Sequence, residues 1–218
     1  DIINEAAGID LDELDNAPAI ISENLMFPYE AGLDFIMEFE DWDAINEAFS
    51  DPPQSTEQII HPEKYLSVTY FDKPQTIAMP DIDSALGGTW EMKYSDVLGE
   101  FNTRIYLEAF LTNTSAGDAA AGWDGDKLEY WKNNAGEQLL VMYWIWDTRN
   151  DAEEFFDAYL DFMEEKTGGD WNLALDDTWD RWWQTDDRSV YLSKQGSNTL
   201  VVITTDIDIV EDLVAEFD

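Results

Sequence analysis

The sequence LLVMYWIW, residues 139–146, is a run of eight apolar residues without a charge. Five of the eight are β-branched or aromatic, the residue types that are enriched in strands. A strand that is apolar at every position is buried on both faces, as the central strand of a sheet is. We therefore expect residues Gln138–Trp146 to form a central strand.

Turn residues around this strand predict two hairpins. The stretch Asn133-Asn134-Ala135-Gly136 separates Gln138–Trp146 from a shorter predicted strand, Lys127–Lys132. Further along, Gln195-Gly196-Ser197-Asn198 separates Ser189–Ser193 from the apolar run Thr199–Thr205. Each hairpin supplies two antiparallel strands.

Helical patterns follow each of the hairpins. Residues Asp151–Lys166 carry an apolar stripe at helical spacing, and Gly168-Gly169 ends the pattern. Residues Ile207–Phe217 form a last helix that is expected to bury Ile209, Val210 and Val214. The order β-β-α-β-β-α predicts an α+β fold in which helices cover one face of an antiparallel sheet.

The first half of the chain is predicted to be mainly helical. The predicted elements are helices near Asp10–Asn16, Ala17–Phe27, from Pro28 to about Phe39, up to Phe49, Glu57–Ile60, Asp81–Leu86 and Asp96–Leu111, and short strands at Leu66–Phe71 and Thr76–Met79. The small, polar segment Ala116–Gly122 is typical of a linker. We therefore expect a helical subdomain at 1–115 with a short strand pair, followed by an antiparallel α+β domain at 116–218.

The charge predicts a solvent of high ionic strength. The chain has 49 Asp and Glu against 11 Lys and Arg, a net charge of −38, yet 44% of its residues are hydrophobic. A disordered acidic tail lacks such apolar content, so we expect a folded protein. At about 1 M salt the Debye length is only ~3 Å, and the repulsion between the carboxylates is screened. These features are typical of a protein from an extreme halophile.

Composition excludes several classes of function. The chain contains no cysteine, and therefore neither a disulfide nor a thiolate metal site. Its acidity disfavours nucleic acid and anionic lipid as partners. No apolar window is long enough to span a bilayer. Because the chain begins at Asp1 without a signal-like segment, we expect such a segment to have been removed.

One sequon supports an extracellular or cell-surface location. Asn113-Thr114-Ser115 lies in a small polar stretch and would accept a glycan in an exported protein. We expect no cofactor beyond weak binding of Na⁺, K⁺ or Ca²⁺ at acidic pieces such as Asp81-Ile82-Asp83 and Asp124-Gly125-Asp126. A solvated acidic turn is the favoured interpretation of both pieces.

A single histidine, His61, limits the catalytic possibilities. Zinc sites built from two or three imidazoles are excluded, and the sequence contains no HExxH, P-loop or G-x-S-x-G motif. Glu57, His61 and Tyr65 follow one another at helical spacing, so they form a candidate supporting site in which Glu57 orients the imidazole. The alternative, which we favour for this segment taken alone, is a capping and packing cluster.

Tryptophans in the second half form a candidate binding platform. Trp179, Trp182 and Trp183 are spaced by three and four, so one face of a helical turn would present all three to a glycan or a partner protein. Core packing is the favoured alternative, since an exposed tryptophan patch promotes association. A glycosidase would need two facing carboxylates, and the abundance of acidic residues makes any particular pair unspecific.

Several short segments resemble, in the same order, a set of secreted bacterial and archaeal proteins of mostly unknown function. The resemblance runs from about Leu25 to Thr205 and is most specific in the stretch PPQSTEQ (52–58) with HPEKY (61–65); FPYEAGLDF (27–35), LGEF (98–101), AAGWDGD (120–126), WDT (146–148) and EEF (153–155) continue it. Longer members of that set resemble zinc metallopeptidases, with an HExxH helix and a downstream Glu that precede the matching region. This chain has no HExxH, so no zinc ligand is assigned to any of its residues.

The resemblance implies a non-catalytic role for this chain alone. We expect a salt-adapted, extracellular protein that corresponds to the C-terminal region of a metallopeptidase-like protein, or that descends from one and has lost catalysis. In the first case its partner is the upstream metallopeptidase segment, and Glu57, His61 and Tyr65 would support the metal cleft. The alternative is a surface interaction module that binds a glycan or a cell-surface partner through its Trp-rich half.

Overall fold

The computed structural model describes residues 16–169 and 171–217. The described residues up to Asp72 form a first compact unit, and those from Lys73 onward form a second. The described helices are α1 (Ala19–Met37), α2 (Trp42–Ser50), α3 (Thr56–Ile60), α4 (Glu63–Leu66), α5 (Ile82–Ala85), α6 (Gly99–Glu108), α7 (Asn113–Ala120), α8 (Arg149–Thr167) and α9 (Val210–Val214). The strands are β1 (Trp90–Asp96), β2 (Trp123–Asn133), β3 (Gln138–Trp146), β4 (Asn172–Asp176), β5 (Asp180–Gln184), β6 (Ser189–Gln195) and β7 (Asn198–Thr204). Short 3₁₀ turns at Ile207–Ile209 and Ala215–Phe217 flank α9.

The described part of the first unit is helical and has a small apolar core. Side chains cap two of its helices: Asp41 accepts from the backbone of Asp43 and Ala44 at the start of α2, and Ser55 accepts from Gln58 at the start of α3. The buried Phe35 ring packs edge-on against Tyr65, with the ring centroids 5.4 Å apart. The prediction of a helix around Glu57–Ile60 is confirmed, including its cap.

The second unit is built on one antiparallel sheet of seven strands in the order β1-β2-β3-β7-β6-β5-β4. The predicted central strand Gln138–Trp146 lies in the middle, where it pairs with β2 on one side and with β7 on the other. Both predicted hairpins are present, because β2 pairs with β3 and β6 pairs with β7. The α+β class, with a helical N-terminal part followed by the sheet, is therefore confirmed.

Alternate side chains of β3 point to opposite faces of the sheet and belong to two separate apolar cores. Met142, Trp144 and Trp146 point to the face that α6, α7 and α8 cover, where a large cluster includes Trp123, Phe155 and Tyr159. Leu139 and Val141 point to the opposite face, where α5 and α9 contribute Ile82, Val210 and Leu213. The two helices of the predicted β-β-α-β-β-α order, α8 and α9, therefore lie on opposite faces of the sheet. The prediction that helices cover one face only is wrong in this respect, because the sheet is apolar on both faces.

The predicted helix Asp151–Lys166 corresponds to α8, whose ends follow known capping rules. Thr148 and Asp151 form a capping box at the N-terminus. Gly168 ends the helix in the left-handed conformation, with φ of 58°. Phe155, Phe156 and Tyr159 are fully buried on the predicted stripe.

Several local predictions are wrong. Leu66–Phe71 and Thr76–Met79 are not strands: Leu66 ends α4, and the Ser67 hydroxyl accepts from the backbone of Thr69 and Tyr70 in a turn. Pro28 does not start a helix but lies inside α1, at the cost of one backbone hydrogen bond. The predicted linker Ala116–Gly122 is largely helical, since three alanines of α7 pack into the core: Ala116, Ala119 and Ala120.

The structure contains three strands that the sequence does not predict, and its two compact units divide at a position different from the predicted domain boundary. The strands β1, β4 and β5 extend the sheet at both edges beyond the four predicted strands. The two compact units divide after Asp72, whereas we expect a domain boundary at 115/116 from the sequence. The predicted helix near Asp10–Asn16 lies, except for Asn16, outside the described residues. Within the described ranges, no helix combines the length and apolar character needed to cross a membrane.

Candidate ligand-binding site

A cavity of about 350 Å³ lies in the second unit, between the C-terminal helix and the strands β4, β5 and β6. Its lining is mostly apolar and comprises Ala174, Leu175, Trp182, Tyr191, Val210, Glu211, Val214 and Ala215. Ligand sites in proteins typically measure about 300–1,000 Å³ and are lined by apolar and aromatic side chains. This cavity therefore has room for one large apolar group rather than for an extended molecule.

Hydrogen bonds hold the two aromatic walls in place. Trp182 and Tyr191 lie opposite each other on neighbouring strands. The Trp182 indole Nε1 donates to the Ser189 hydroxyl, and the Tyr191 hydroxyl donates to Asp180 Oδ1 at 2.5 Å. Because both polar atoms are engaged outside the lining, the rings present their apolar surface to the cavity.

The opposite wall comes from the C-terminal helix. Val210 is buried and Val214 partly buried, and both belong to the core that joins α9 to the sheet. Glu211, one residue after Val210, is exposed and contributes the carboxylate of the lining. A carboxylate at the mouth of an apolar cavity favours a ligand that carries a positive charge near its apolar group.

The cavity opens beside a sheet edge. Strand β4 pairs with β5 on one side, and it is the last strand in the sheet order. All of its residues, Asn172–Asp176, are exposed. Leu175 and Ala174 belong to the cavity lining, so the open edge and the cavity are adjacent. An edge strand presents backbone N–H and C=O groups that can pair with another chain.

The region around this edge is acidic. Asp176 Oδ1 lies 3.0 Å from the Nε of Arg181, which is neutralised by this ion pair. Asp177 and Asp180 are joined by a backbone hydrogen bond of 3.0 Å in the turn between β4 and β5. The carboxylates outnumber the cation here, so the edge favours a basic segment over an acidic one.

The structure places the predicted tryptophan platform on both faces of the sheet. Residues 180–184 form a strand rather than a helical turn, so Trp182 and Trp183 point in opposite directions. Trp183 packs against the large core, and Trp179 lies edge-on to Phe156 in that core, with Lys194 Nζ 3.8 Å from the centroid of its ring. Only Trp182 lines the cavity.

The three residues of the predicted supporting site, Glu57, His61 and Tyr65, lie on or next to α3 and α4, and their supporting role stays a prediction. Glu57 is fully buried on α3, and its Oε1 accepts from Lys64 Nζ at 2.5 Å. The same ammonium group lies 3.1 Å from Asp72 Oδ2. The Tyr65 hydroxyl donates to the Asp51 carbonyl at 2.7 Å, and burial raises the pKa of this tyrosine. The backbone N–H of His61 donates to the Glu57 carbonyl at 2.7 Å and closes the last turn of α3.

The acidic pieces considered for weak ion binding are engaged in structural contacts. Asp81 accepts from the Ser84 backbone, and Asp83 accepts from the Trp90 backbone at 3.0 Å. Asp124 accepts from the Gln75 side chain. The favoured interpretation of both pieces is a solvated turn; Asp81 is indeed exposed, and the carboxylates of these pieces also accept hydrogen bonds from nearby backbone or side-chain groups. Ion binding at the acidic surface stays a prediction.

Asp126 is the most constrained of these carboxylates. It is buried, and it accepts from Leu98 N, Gly99 N and Trp123 Nε1 at 2.8, 2.7 and 2.8 Å. These bonds tie β2 to the start of α6. Burial raises the pKa of this carboxyl above its ordinary value, while the three hydrogen bonds act in the opposite direction.

The sequon residue Asn113 lies at the exposed start of α7, where Thr112 caps the helix by accepting from Ser115 at 3.2 Å. Glycosylation at this position stays a prediction.

Most of the cavity could not be identified from the sequence. Trp182 was a candidate, but Tyr191, Leu175 and Glu211 were not. Alternation along Ser189–Ser193 places Tyr191 on the face opposite Val190 and Leu192, which is a signal that the sequence does contain. The position of the C-terminal helix over that face is a tertiary property.

Comparison with protein families gives one match. Residues 89–214, more than half of the chain and most of the second unit, match the family described as "Domain of unknown function (DUF8575)". No curated protein matches the chain. The matched range contains all seven strands and every residue of the cavity lining except Ala215.

Proposed function

The chain belongs to the DUF8575 family, and we propose that this domain is a peptide-binding module in which β4 pairs with an extended segment of a partner protein. One apolar side chain of that segment enters the cavity beside Trp182. The observation that carries the proposal is the position of this cavity directly beside the open edge of the sheet.

The chemistry of the lining supports binding rather than catalysis. Glu211 is the carboxylate of the lining, and the tyrosine hydroxyl of the lining is engaged by Asp180. General acid–base catalysis needs ionisable groups positioned around a reacting centre. The remaining lining side chains are aliphatic or aromatic, and they recognise a ligand by burying its apolar surface.

The same lining favours a peptide over a glycan. Sugars are bound through several hydrogen-bonding side chains as well as through an aromatic ring, whereas this cavity offers two hydrogen-bonded aromatic rings and aliphatic walls. Strand addition instead obtains its affinity from backbone hydrogen bonds and its specificity from pockets for alternate side chains. An open edge next to a pocket supplies both requirements.

The charge of the domain indicates which partner sequence fits. Glu211 lies at the cavity, and Asp176 and Asp177 lie on or beside β4. A segment that combines an apolar side chain with neighbouring Lys or Arg residues therefore meets opposite charge. In line with the net charge of −38, we also propose that the module acts in concentrated salt, outside the cell or at its surface. The metallopeptidase resemblance stays a prediction, because the family match carries no activity.

The first test uses a defined peptide. A fluorescent peptide with the sequence Lys-Val-Lys-Phe-Lys-Val-Lys is titrated with the full chain in high salt, and binding is followed by fluorescence anisotropy. The matched control has the same side chains but carries N-methyl groups on alternate backbone nitrogens. We expect the unmodified peptide to bind and the methylated peptide not to bind, since methylation removes the donors that pair with β4.

The second test uses two leucines of the same strand. Leu175 and Leu173 are exposed to a similar degree, 38% and 43%, but Leu175 lines the cavity whereas Leu173 lies opposite Trp183 of the other face. We expect Leu175→Ser to weaken peptide binding by about tenfold, or 1.4 kcal/mol, and Leu173→Ser to leave binding unchanged. Equal effects of both substitutions, or equal binding of both peptides, would contradict the proposal.

A further inference from the structure

A row of exposed apolar side chains runs along α1 in the first unit. Ile21, Leu25, Tyr29, Leu33 and Met37 follow one another at intervals of four residues and are 56%, 38%, 51%, 58% and 72% exposed. We call this row the α1 stripe. From Ile21 to Met37 the stripe extends over about 24 Å, most of the length of the 19-residue helix.

The other side of α1 is apolar as well. Phe35 is buried, and Met26, Phe27 and Ile36 are partly buried. A surface helix normally buries its apolar side chains and exposes polar ones, whereas α1 exposes an apolar row in addition to the apolar side chains that it buries. Most of the exposed large apolar side chains among the described residues belong to this first unit. The α1 stripe therefore has the character of a docking surface.

Charge identifies the kind of partner. A row of exposed carboxylates accompanies the stripe on the same helix at intervals of seven, four and four residues: Glu23, Glu30, Asp34 and Glu38. The first 63 residues of the chain contain no Lys and no Arg. The first cation, Lys64, lies between the carboxylates of Glu57 and Asp72. A second copy of this surface, an acidic peptide or an anionic membrane would bring like charges together.

We propose that the α1 stripe docks a basic amphipathic helix of a partner protein. The apolar face of that helix would cover the stripe, and its Lys or Arg residues would meet the acidic row that begins at Glu23. Helix recognition of this kind uses apolar anchors at intervals of three and four residues, which matches the spacing of the stripe. This inference goes beyond the peptide-binding function of the second unit, because it depends on a different surface and a different partner conformation.

The test compares two synthetic helical peptides of about 18 residues that share one apolar face of leucine and alanine. The first carries only Lys on its polar face and the second only Glu. Binding to the full chain is measured by anisotropy at low and at high salt. We expect the basic peptide to bind and the acidic peptide to bind at least about tenfold more weakly at low salt. The difference should shrink in high salt, where charges are screened.

Three variants distinguish the contribution of apolar contact from that of charge attraction. Leu33→Ser combined with Met37→Ser should weaken binding of the basic peptide by at least about tenfold, since it removes two exposed anchors. Val97→Ser is the matched control: Val97 is 50% exposed but lies in the second unit, and we expect no change. Glu30→Gln combined with Asp34→Asn should reduce the preference for the basic peptide while leaving the apolar contact intact. Circular dichroism verifies that each variant is folded.

Three outcomes would overturn the proposal. The first is binding of the basic peptide that Leu33→Ser with Met37→Ser does not weaken. The second is a concentration-dependent dimer that the same double substitution abolishes, because the stripe then receives a second copy of the chain. The third is displacement of the basic peptide by a synthetic peptide with the sequence of residues 1–15 but not by a scrambled peptide of the same composition, because the occupant then belongs to this chain. None of these results depends on whether β4 binds a peptide.

Discussion

Replacement of Asp126 by Asn tests how the start of α6 is fixed to the sheet. The carboxylate accepts three hydrogen bonds, two at Oδ1 from Gly99 N and Trp123 Nε1 and one at Oδ2 from Leu98 N. An asparagine of the same shape has one acceptor oxygen. When this oxygen occupies the place of Oδ1, the side-chain NH₂ faces the Leu98 N–H, and that donor loses its acceptor.

The expected loss of stability follows from these three hydrogen bonds. A buried donor without an acceptor costs about 1–3 kcal/mol, and two further bonds change from charge-assisted to neutral. Relief of the desolvation of a buried charge offsets part of this loss, because burial raises the pKa of the carboxyl. We expect the free energy of unfolding to fall by about 2–3 kcal/mol, which lowers the Tm by roughly 2–4 °C per kcal/mol for a domain of this size.

The assay is urea unfolding at constant high salt, followed by circular dichroism. Asp118→Asn is the matched control, because Asp118 is exposed and its replacement removes the same charge. This control should change the free energy of unfolding by less than about 0.5 kcal/mol. If Asp126→Asn behaved like Asp118→Asn, the three hydrogen bonds would not stabilise the domain and the reasoning would be refuted.

The pH dependence supplies a second signature. Since the folded-state pKa of Asp126 lies above its ordinary value of 3.8, the folded state binds the proton first as the pH falls. The wild type therefore gains stability relative to Asp126→Asn as the pH is lowered from the folded-state pKa toward 3.8. The difference between the two proteins should widen over this range, and a constant difference would contradict the raised pKa.

Two further predictions concern the tyrosine pair in the large core and the charge of the whole chain. The hydroxyls of Tyr106 and Tyr159 lie 2.9 Å apart, and burial raises the pKa of Tyr106 from 10.0 to about 12 and that of Tyr159 well above 10.0. The stability that Tyr106 contributes should be complete below pH 10 and should fall as the pH rises from 10 to about 12. Tyr159 acts in the same direction, and a tyrosinate absorbance titration should show that neither hydroxyl of the folded protein ionises near pH 10. In a double-mutant cycle, Tyr106→Phe and Tyr159→Phe should show a coupling of about 1 kcal/mol. Lowering the salt from about 1 M to about 0.1 M lengthens the Debye length from ~3 to ~10 Å, so the net charge of −38 should lower the unfolding midpoint, and an unchanged midpoint would contradict salt adaptation.

The sequence determines the central elements of the second unit because their patterns are long and unambiguous. Residues 139–146 are apolar at every position, and the structure places them in the middle of the sheet. The stripe of Asp151–Lys166 extends over four turns, with capping residues at both ends of α8. In such segments the residue types, the spacing of the apolar residues and the residues at the ends all favour the same structure, which is also the one that packs best in the fold.

The failures occur where a short pattern fits two structures. Trp179, Trp182 and Trp183 have helical spacing, but the strand β5 places Trp182 and Trp183 on opposite faces, and pairing with β6 decides between the two possibilities. The segment Asn113–Ala120 is composed of small residues, which is typical of a linker. Close packing of its alanines against the core stabilises it as a helix. Neither outcome follows from local sequence, because the deciding contacts are distant along the chain.

The candidate site illustrates the same limit. Its aromatic wall joins Trp182 and Tyr191 through strand pairing, and its aliphatic wall comes from α9 at the end of the chain. The sequence identifies one of these residues as a candidate because tryptophan is conspicuous. It does not show that the cavity lies at a sheet edge, since β4 itself was not predicted.

Salt weakens charge attraction at the two proposed surfaces but not apolar association, so affinity and selectivity should come from different residues. In concentrated salt, charge attraction between the acidic rows and a basic partner is screened to a few ångströms, so it acts only between groups in contact. Apolar association does not weaken in the same way, and salts that are excluded from protein surfaces strengthen it. The apolar cavity beside β4 and the α1 stripe should therefore supply most of the affinity, while Glu211 and the carboxylates of α1 select against acidic partners. It follows that Leu175→Ser and Leu33→Ser should weaken binding at every salt concentration. Glu30→Gln should weaken binding mainly at low salt. The reverse pattern would show that the partners are held by charge rather than by apolar contact.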